Sequence, residues 1–304
     1  MNLTKSIRLP LLKIRHRGVE IDTLPSLGQV VKEHGLLSNK KMSKGLGQNF
    51  LLDPSITDRI AQASKPLVGF DVIEIGPGPG GLTRSLLKEG ADHVYAIERD
   101  QNCVAALQPL VDASQGRLTL IQADALKVIP QTLVTSSIKI VANLPYNIGT
   151  QLLINWLKNL DGIQSLTLMF QREVALRIVA NPGSSDYSRL SILCQYLCQT
   201  DRLFDLSPQS FTPPPKVFSS VVQLYPKGLS ADEKNLLPYL EKVTMAAFGQ
   251  RRKMIRKSLK LLFGEEKLEE ALLSLQVSPQ ERPENLTLDH YQQLAKFYQD
   301  AVRI

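Results

Sequence analysis

The chain has 304 residues, 43% of them hydrophobic, which is enough to bury one large core and a smaller one and excludes a disordered protein. A formal net charge of +7 is compatible with a polyanionic partner but does not prove one. Three cysteines are too few, and odd in number, for a disulfide framework, which favours a reducing compartment and a cytoplasmic location.

The first 37 residues are predicted to form a basic N-terminal extension. Six basic residues precede the first acid, Glu20: Lys5, Arg8, Lys13, Arg15, His16 and Arg17. Such a bias is compatible with an organelle transit peptide, which would imply an organellar location. Because the segment is poor in serine, a partly disordered arm that contacts nucleic acid is favoured. No apolar run approaches the ~18 residues of a membrane span, so no membrane partner is expected.

Residues 38–228 are predicted to form an α/β domain. Short β-branched runs alternate with amphipathic helical patterns, and the spacing of ~20 to 25 residues per strand fits parallel βαβ units. The sheet should be mostly parallel and doubly wound, with a site beyond the carboxyl ends of its strands. The first five strands are predicted at residues 71–75, 93–98, 118–124, 138–144 and 165–170.

Two later runs, 202–207 and 217–226, leave no room for a crossover helix between them. They are therefore expected to pair antiparallel at an edge of the sheet. The remaining residues, 229–304, show helical patterns only and predict a small all-helical domain. Cys194 and Cys198 are expected to share a helix face as core residues, and no metal site is predicted.

A glycine-rich turn follows the first predicted strand in the sequence IEIGPGPGG. Gly76, Gly78 and Gly81 match G-x-G-x-x-G, a pattern that nicotinamide enzymes share with S-adenosylmethionine enzymes. Glu98 ends the second strand, where a carboxylate can accept hydrogen bonds from both hydroxyls of a ribose. A solvated carboxylate that pairs with Arg99 or a neighbouring lysine is the alternative. Asp124 closes the third strand and can bind the exocyclic amine of an adenine, or simply cap the next segment.

The corner Asn143-Leu144-Pro145-Tyr146 after the fourth strand separates the two cofactor classes, because it supplies no acid for hydride chemistry. It suits an amine methyltransferase. Asn143 and the Leu144 carbonyl can accept the two hydrogens of adenine N6, Pro145 fixes the bend, and Tyr146 can stack on the base. A strand-ending turn with a core tyrosine is the alternative.

These motifs together resemble the small-subunit ribosomal RNA adenine dimethyltransferases over residues 38–304. The resemblance also rests on LGQNFLLD, LMFQREVALRIVA, YSRLSILCQY, FTPPPKV and FGQRRKMIRKSL. It implies a Rossmann-like S-adenosylmethionine-dependent methyltransferase with a mostly parallel seven-stranded sheet and a C-terminal helical domain. The implied reaction is dimethylation of N6 on two adjacent adenosines in the 3′-terminal hairpin loop of the small-subunit RNA.

The resemblance also implies residue roles. The expected cofactor contacts are Asn49, Leu51, Gly76, Gly78, Glu98, Asp124 and Asn143. The corner Asn143 to Tyr146 and Phe211 would frame the target adenine, with the Phe211 ring opposite Tyr146; a core position is the alternative for Phe211.

Two basic segments are predicted to contact the RNA. The stretch from His34 to Leu52, which contains GQNFLL (47–52) and no acid, could fold over the cofactor as a lid and present Lys40, Lys41 and Lys44 to RNA. Residues 248–263 have the pattern of one helix whose cations face outward for phosphate contact: Arg251, Arg252, Lys253, Arg256, Lys257 and Lys260.

The predicted partner is the small-subunit ribosomal RNA in an immature small ribosomal subunit, bound by a monomeric enzyme. Three other functions remain open on the sequence. A large-subunit RNA dimethylase of the resistance type would share every cofactor motif. A non-catalytic relative among the mitochondrial transcription factors would tolerate loss of the Asn-Leu-Pro-Tyr corner, and a nicotinamide-dependent dehydrogenase would bind nicotinamide.

Overall fold

A computed structural model describes residues 20–37, 48–134 and 137–303. The strands are β1 Phe50–Leu51, β2 Asp71–Ile75, β3 His93–Glu98, β4 Leu118–Gln122, β5 Ile138–Asn143, β6 Ile163–Gln171, β7 Cys198–Leu206, β8 Phe211–Thr212 and β9 Ser219–Pro226. The helices are α1 Leu27–Glu33, α2 Pro54–Ala63, α3 Gly81–Lys88, α4 Gln101–Ala113, α5 Gly149–Leu157, α6 Arg172–Val179, α7 Arg189–Leu197, α8 Ala231–Gly249, α9 Ile255–Phe263, α10 Glu265–Ser274 and α11 Leu288–Arg303.

The main sheet has seven strands in the order β4-β3-β2-β5-β6-β9-β7. Strands β2 to β6 pair in parallel, which confirms the predicted Rossmann-like class. The strand order reverses between β2 and β5, and crevices at such a point hold ligands at the carboxyl ends of the strands. The glycine turn after β2 and the corner after β5 therefore lie side by side.

The edge strands also pair as predicted. Strand β9 runs antiparallel to both β6 and β7, so β7 points the same way as β6. Ser219, the first residue of β9, pairs with Gln171 at the end of β6 on one side and with Leu206 at the end of β7 on the other. The carboxyl ends of β6 and β7 and the start of β9 consequently share one edge of the sheet with the cofactor crevice.

The two faces of the sheet are covered by separate apolar clusters. One cluster contains Ile73, Trp156 and Leu224 together with Leu240 and Tyr291 from the C-terminal helices. Helix α8 is further tied to α7 because the Tyr196 hydroxyl donates to the Glu233 carbonyl at 2.7 Å. The described residues after Pro226 form helices and no strand, as the sequence predicts. These helices share their core with the sheet, and the domain division at residue 228 stays a prediction.

Residues 20–37 fold against the sheet domain, which differs from the expected arm over residues 1–37. Helix α1 begins after Ser26, whose hydroxyl accepts from the Gln29 amide. Arg84 donates to the Pro25 carbonyl at 2.8 Å. The apolar residues recur at helical spacing and are buried: Ile21, Leu27, Val30, Val31 and Leu36. The folded part of the chain therefore starts before residue 38, and the basic residues 5–17 lie outside the described residues.

The single helix predicted over residues 248–263 is wrong, because α8 ends at Gly249 and α9 begins at Ile255. Gln250 leaves the helical region with φ −129° and ψ 46°, and Met254 is extended. The free amides at the start of α9 are satisfied by the loop after α10: Ile255 donates to the Glu281 carbonyl at 2.6 Å. The break thus gives α9 its own hydrogen-bonded start, separate from the end of α8.

Two smaller predictions can also be compared with the structure. Cys194 lies in α7, whereas Cys198 begins β7, so the pair does not share a helix face. Both thiols are buried, as core residues should be. Among residues 20–37, 48–134 and 137–303, no helix is long and apolar enough to cross a membrane.

Candidate cofactor and substrate site

A cleft lies at the carboxyl ends of β2 to β5. Its lining combines apolar walls with a few polar groups, as small-molecule sites do. The structure places all seven predicted cofactor residues on its lining: Asn49, Leu51, Gly76, Gly78, Glu98, Asp124 and Asn143. Their roles as cofactor contacts stay predictions, but their convergence on one cleft is observed.

The glycine turn between β2 and α3 forms the floor of this cleft. Gly78 has a φ of +56°, and a Cβ atom there would lie 2.8 Å from the Phe50 ring. At Gly81 a Cβ would lie 2.7 Å from the Leu51 carbonyl oxygen. Side chains at these positions would clash with the wall that β1 provides, so the backbone itself is left to face the ligand.

Glu98 ends β3 as a buried carboxylate with 6% exposure, not as the solvated partner of Arg99 that was the alternative. One oxygen accepts from the amides of Arg99 and Asp100 at 2.8 Å each, and the other accepts from the Gly78 amide at 3.2 Å. Burial raises the pKa of Glu98, and the backbone hydrogen bonds oppose that rise. These bonds fix the carboxylate at the rim of the glycine turn, where a ribose would meet it.

Asp124 follows β4, fills the capping role that was the alternative, and also lines the cleft. Its Oδ1 accepts from the Leu126 amide at 3.1 Å and caps the short helix Ala125–Lys127. Its Oδ2 lies 4.0 Å from the Arg99 guanidinium, and the residue lines the cleft. The cap holds the carboxylate at the third strand end, where it can accept from an adenine amine.

Glu74 is a cleft residue that the sequence reasoning missed. It is 1% exposed inside β2, and the Thr83 hydroxyl donates to it at 2.6 Å. Burial raises the pKa of Glu74 to about 8, and the Glu98 charge adds to the rise while the Thr83 hydrogen bond opposes it. The signal was an acid placed between two isoleucines of a buried strand, because such a group needs a partner.

The corner after β5 closes the cleft opposite the cofactor residues. The Asn143 amide nitrogen donates to the Asn49 carbonyl at 3.0 Å, which anchors this side chain at the corner. The Tyr146 hydroxyl lies 2.6 Å from the Ser219 hydroxyl of β9, and burial raises the pKa of Tyr146. Pro145 lies against Gly76, since a Cβ on that glycine would be 3.8 Å from its ring. The corner therefore rests on the glycine turn.

The segment predicted as a lid contributes one wall of the cleft. Strand β1 pairs with β8, so that Leu51 lies opposite Phe211. Gln48 donates to the Asp100 carboxylate at 3.0 Å and anchors the start of the wall. The Phe50 ring packs in an apolar cluster with Val30 and Val31 of α1. The other predicted RNA contacts of this region, Lys40, Lys41 and Lys44, lie outside the described residues.

The structure does not place Phe211 opposite Tyr146 as expected. Its ring is 3% exposed, lies in the apolar cluster with Leu51 and Val221, and is not part of the cleft lining. The pairing of β8 with β1 explains this burial, because it turns the side chain toward the core beneath the wall. In this arrangement Phe211 supports the wall, which was the alternative considered for it.

The predicted RNA-binding residues of the helical domain divide into two groups. Arg251 is partly enclosed: it donates to the Ser185 carbonyl at 2.6 Å and lies 3.7 Å from the Glu284 carboxylate. Lys260 is exposed but pairs with the Glu265 carboxylate at 2.9 Å, so it joins Arg251 in the first group. The second group is exposed: Arg252, Lys253, Arg256 and Lys257. These four cations can meet a phosphate most readily.

Comparison with known proteins shows the family to which the chain belongs. The family model for ribosomal RNA adenine dimethylases matches residues 39–300. A "Ribosomal RNA small subunit methyltransferase A" from Rhizobium meliloti (strain 1021) is 50% identical over 280 residues, covering 90% of this chain and 98% of the relative. The protein of the same name from Azorhizobium caulinodans is 53% identical over 246 residues, covering 80% of this chain and 82% of that relative.

Two solved structures are similar in fold. A dimethyladenosine transferase from Plasmodium falciparum matches with a TM-score of 0.68 at 26% identity, covering 82% of this chain and 97% of its own. The 23S rRNA methyltransferase ErmE matches with a TM-score of 0.66 at 24% identity, covering 83% and 100%, and at that identity it supports the fold alone. The chain is therefore a member of the ribosomal RNA adenine dimethylase family, an S-adenosylmethionine-dependent methyltransferase.

Proposed function

We propose that this enzyme dimethylates N6 of two adjacent adenosines in the 3′-terminal hairpin loop of the small-subunit ribosomal RNA. The observation that carries the proposal is the seating of the Asn143 to Tyr146 corner on the glycine turn, within one cleft. This arrangement supports transfer between a bound cofactor and an adenine held at the corner. The names of the relatives support the small subunit as the substrate.

The residues of the cleft suit S-adenosylmethionine. Glu98 would hold the ribose hydroxyls, Asp124 the adenine amine, and the backbone of the glycine turn the methionine portion. When bound, the cofactor supplies an electrophilic methyl group on a positively charged sulfur. Glu74 lies beneath this site. Because burial raises its pKa to about 8, the negative charge under the cofactor would depend on pH near neutrality.

The corner would position the target nitrogen. Its lone pair is delocalised into the adenine ring, so two acceptors must hold the amino hydrogens and direct the nitrogen at the methyl group. The Asn143 side-chain oxygen and the Leu144 carbonyl are these acceptors, and Tyr146 stacks on the ring. No basic side chain is required, because the methylated nitrogen is acidic and can release its proton to water. For the second methyl only one hydrogen remains, so one acceptor contact is lost.

We further propose that the enzyme acts as a monomer on immature small subunits in the cytoplasm. Three buried free thiols, Cys103, Cys194 and Cys198, suit a reducing compartment. Exposed cations of the helical domain would meet RNA phosphates: Arg252, Lys253, Arg256 and Lys257.

Methyl incorporation into isolated ribosomal subunits tests the proposal. Unmodified small and large subunits are incubated separately with the purified enzyme and labelled S-adenosylmethionine, and the RNA is digested and analysed by mass spectrometry. We expect N6,N6-dimethyladenosine in small-subunit RNA, at two adjacent positions of the 3′ hairpin. Label in large-subunit RNA alone would identify the resistance-type activity instead, and no transfer to either would favour a non-catalytic factor.

A further inference from the structure

An exposed phenylalanine directly precedes the strand whose first residue bonds the corner that would hold the target base. Phe218 is 51% exposed and Val217 is 43% exposed, directly before Ser219. Ser219 in turn lies 2.6 Å from the Tyr146 hydroxyl. The conformation of this segment is fixed, because the Arg172 amide donates to the Phe218 carbonyl at 2.9 Å. Phe218 is thus held one residue before the hydroxyl partner of Tyr146, with half of its surface in solvent.

The sheet topology shows which way a bound RNA strand would continue. The cofactor residues occupy the ends of β4, β3, β2 and β5, and the corner follows β5. The next positions along the same edge are the end of β6, the start of β9 and the end of β7. Phe218 lies directly before β9. An RNA strand that runs from the corner along this edge, away from the cofactor residues, would therefore pass over Phe218.

Charged groups at this part of the edge suit a phosphate backbone. Arg172 begins α6 and its Nε lies 3.2 Å from the Asp205 carboxylate, which also binds Arg202 at 2.6 Å. Lys216 is exposed in the adjoining loop. Arg172, Arg202 and Lys216 carry three positive charges, and Asp205 and Glu173 carry two negative charges. This part of the edge therefore has a net positive charge. Asp205 holds the two arginines in place, so the phosphates would meet preorganised donors.

We propose that Phe218 is a stacking platform for an unpaired nucleotide next to the target adenosine, with Arg172 contacting its phosphate. Base stacking on an aromatic ring tolerates any base, and a loop nucleotide has already lost its pairing partner. The platform would steady the neighbour while the target base is held at the corner. This inference rests on the proposed action on RNA, because it names a second contact of the same substrate.

Substitutions at Phe218 test the platform through the KM for RNA. We expect Phe218→Ala to raise the KM for unmethylated small subunits by about 5- to 100-fold, the range of a lost base stack, with kcat and cofactor affinity nearly unchanged. Phe218→Trp should retain the wild-type KM, and Phe218→Leu should behave like the alanine variant. Val68→Ala is the matched control, since Val68 is 60% exposed in the loop before β2.

Binding of protein-free RNA completes the test. Fluorescence anisotropy with a 3′-hairpin fragment of the ribosomal RNA should show the same loss for Phe218→Ala. A wild-type KM for that variant, or a full activity for Phe218→Leu, overturns the stacking platform. A loss seen with whole subunits but absent with the RNA fragment would also overturn it, because the ring would then contact a ribosomal protein. If the wild type modifies only large-subunit RNA, the same variants measured on that RNA still decide the question.

Discussion

The two halves of the sheet edge are built differently. At the ends of β2 to β5 the polar groups are enclosed and bonded: Glu98 accepts three backbone amides and Glu74 is 1% exposed. At the ends of β6 and β7 and the start of β9 the surface is open, with Phe218 and Arg172 about half exposed.

The difference follows from the size of the two ligands. A small cofactor is enclosed by its site, so its contacts can be buried and fixed in advance. An RNA loop cannot be enclosed and is met by exposed rings and cations on a surface. Substitutions in the enclosed half should therefore affect stability, cofactor binding and turnover, whereas those in the open half should affect the KM for RNA.

Phe211 provides the largest contrast with Phe218, although seven positions separate them. Phe211→Ala should lower the free energy of unfolding by about 3–5 kcal/mol, because it removes a buried ring from beneath the wall. Phe218→Ala should leave that free energy nearly unchanged. Urea denaturation of both variants measures the difference. A Phe211→Ala variant that is as stable as the wild type but has a raised KM for RNA would contradict the buried role. The Phe211 ring would then contact the substrate, as the sequence first predicted.

These two phenylalanines also show what the sequence could not determine. Hydrophobic periodicity locates β2 and β3 at their observed bounds because alternation and β-branching act locally. The burial of Phe211 depends on the pairing of β8 with β1, which are 160 residues apart in the chain and two residues long. Strands of that length carry no periodicity that a sequence can display.

The helix break before Ile255 and the folding of residues 20–37 were missed for a similar reason. Residues 248–263 keep a helical pattern throughout, but contacts with the Glu281 carbonyl favour a new helix start. The basic residues near the N-terminus suggested an arm, whereas Val30 and Val31 further on are buried with Phe50. The strand-end residues Glu98, Asp124 and Asn143 were found because a parallel sheet brings strand ends together whatever packs around them.

Asn143→Ala tests whether the corner positions the reacting nitrogen. We expect kcat to fall by about 100-fold or more, because a misplaced nucleophile loses the orientation that the two acceptors give it. Cofactor affinity should change much less. Single-turnover methylation and calorimetry with S-adenosylhomocysteine measure the two effects. Asn155→Ala, in α5, is the control; unchanged methylation by Asn143→Ala would remove the residue from the mechanism.

Glu98→Ala should mainly change cofactor affinity, whereas Asn143→Ala should mainly change kcat. The loss of a charged acceptor for the ribose should weaken cofactor binding by about 10- to 100-fold, with a smaller effect on the KM for RNA. Glu98→Gln serves as the matched variant, since it keeps one oxygen for the backbone amides of the turn. Calorimetry that gives wild-type affinity for both variants would show that the ribose is held elsewhere.

Glu74 should make stability depend on pH. Its pKa is about 8 in the folded protein against an ordinary value of 4.5, so folding takes up a proton between these values. The free energy of unfolding should then fall as pH rises from about 5 to about 8, by at least ~1 kcal/mol, and level off above. Glu74→Gln should reduce this fall and leave the part that the raised pKa of Glu98 contributes, whereas the exposed Glu266→Gln should not change it. Urea titrations at pH 5.5, 7 and 8.5 measure it, and an equal slope in wild type and Glu74→Gln would place the proton on another group.

The smallest effects are expected from the exposed cations of α9. Arg256→Ala and Lys257→Ala should each weaken RNA binding slightly and lower the slope of log affinity against log salt by about 1, because each removes one phosphate contact. Stability should not change. Arg251→Ala should show the reverse, since its guanidinium is bonded to the Ser185 carbonyl and lies near Glu284. Anisotropy titrations over a range of salt concentrations separate the two results. If Arg251→Ala alone reduced the salt slope, the RNA would contact the partly enclosed side of this domain, and the open surface would end at the sheet edge.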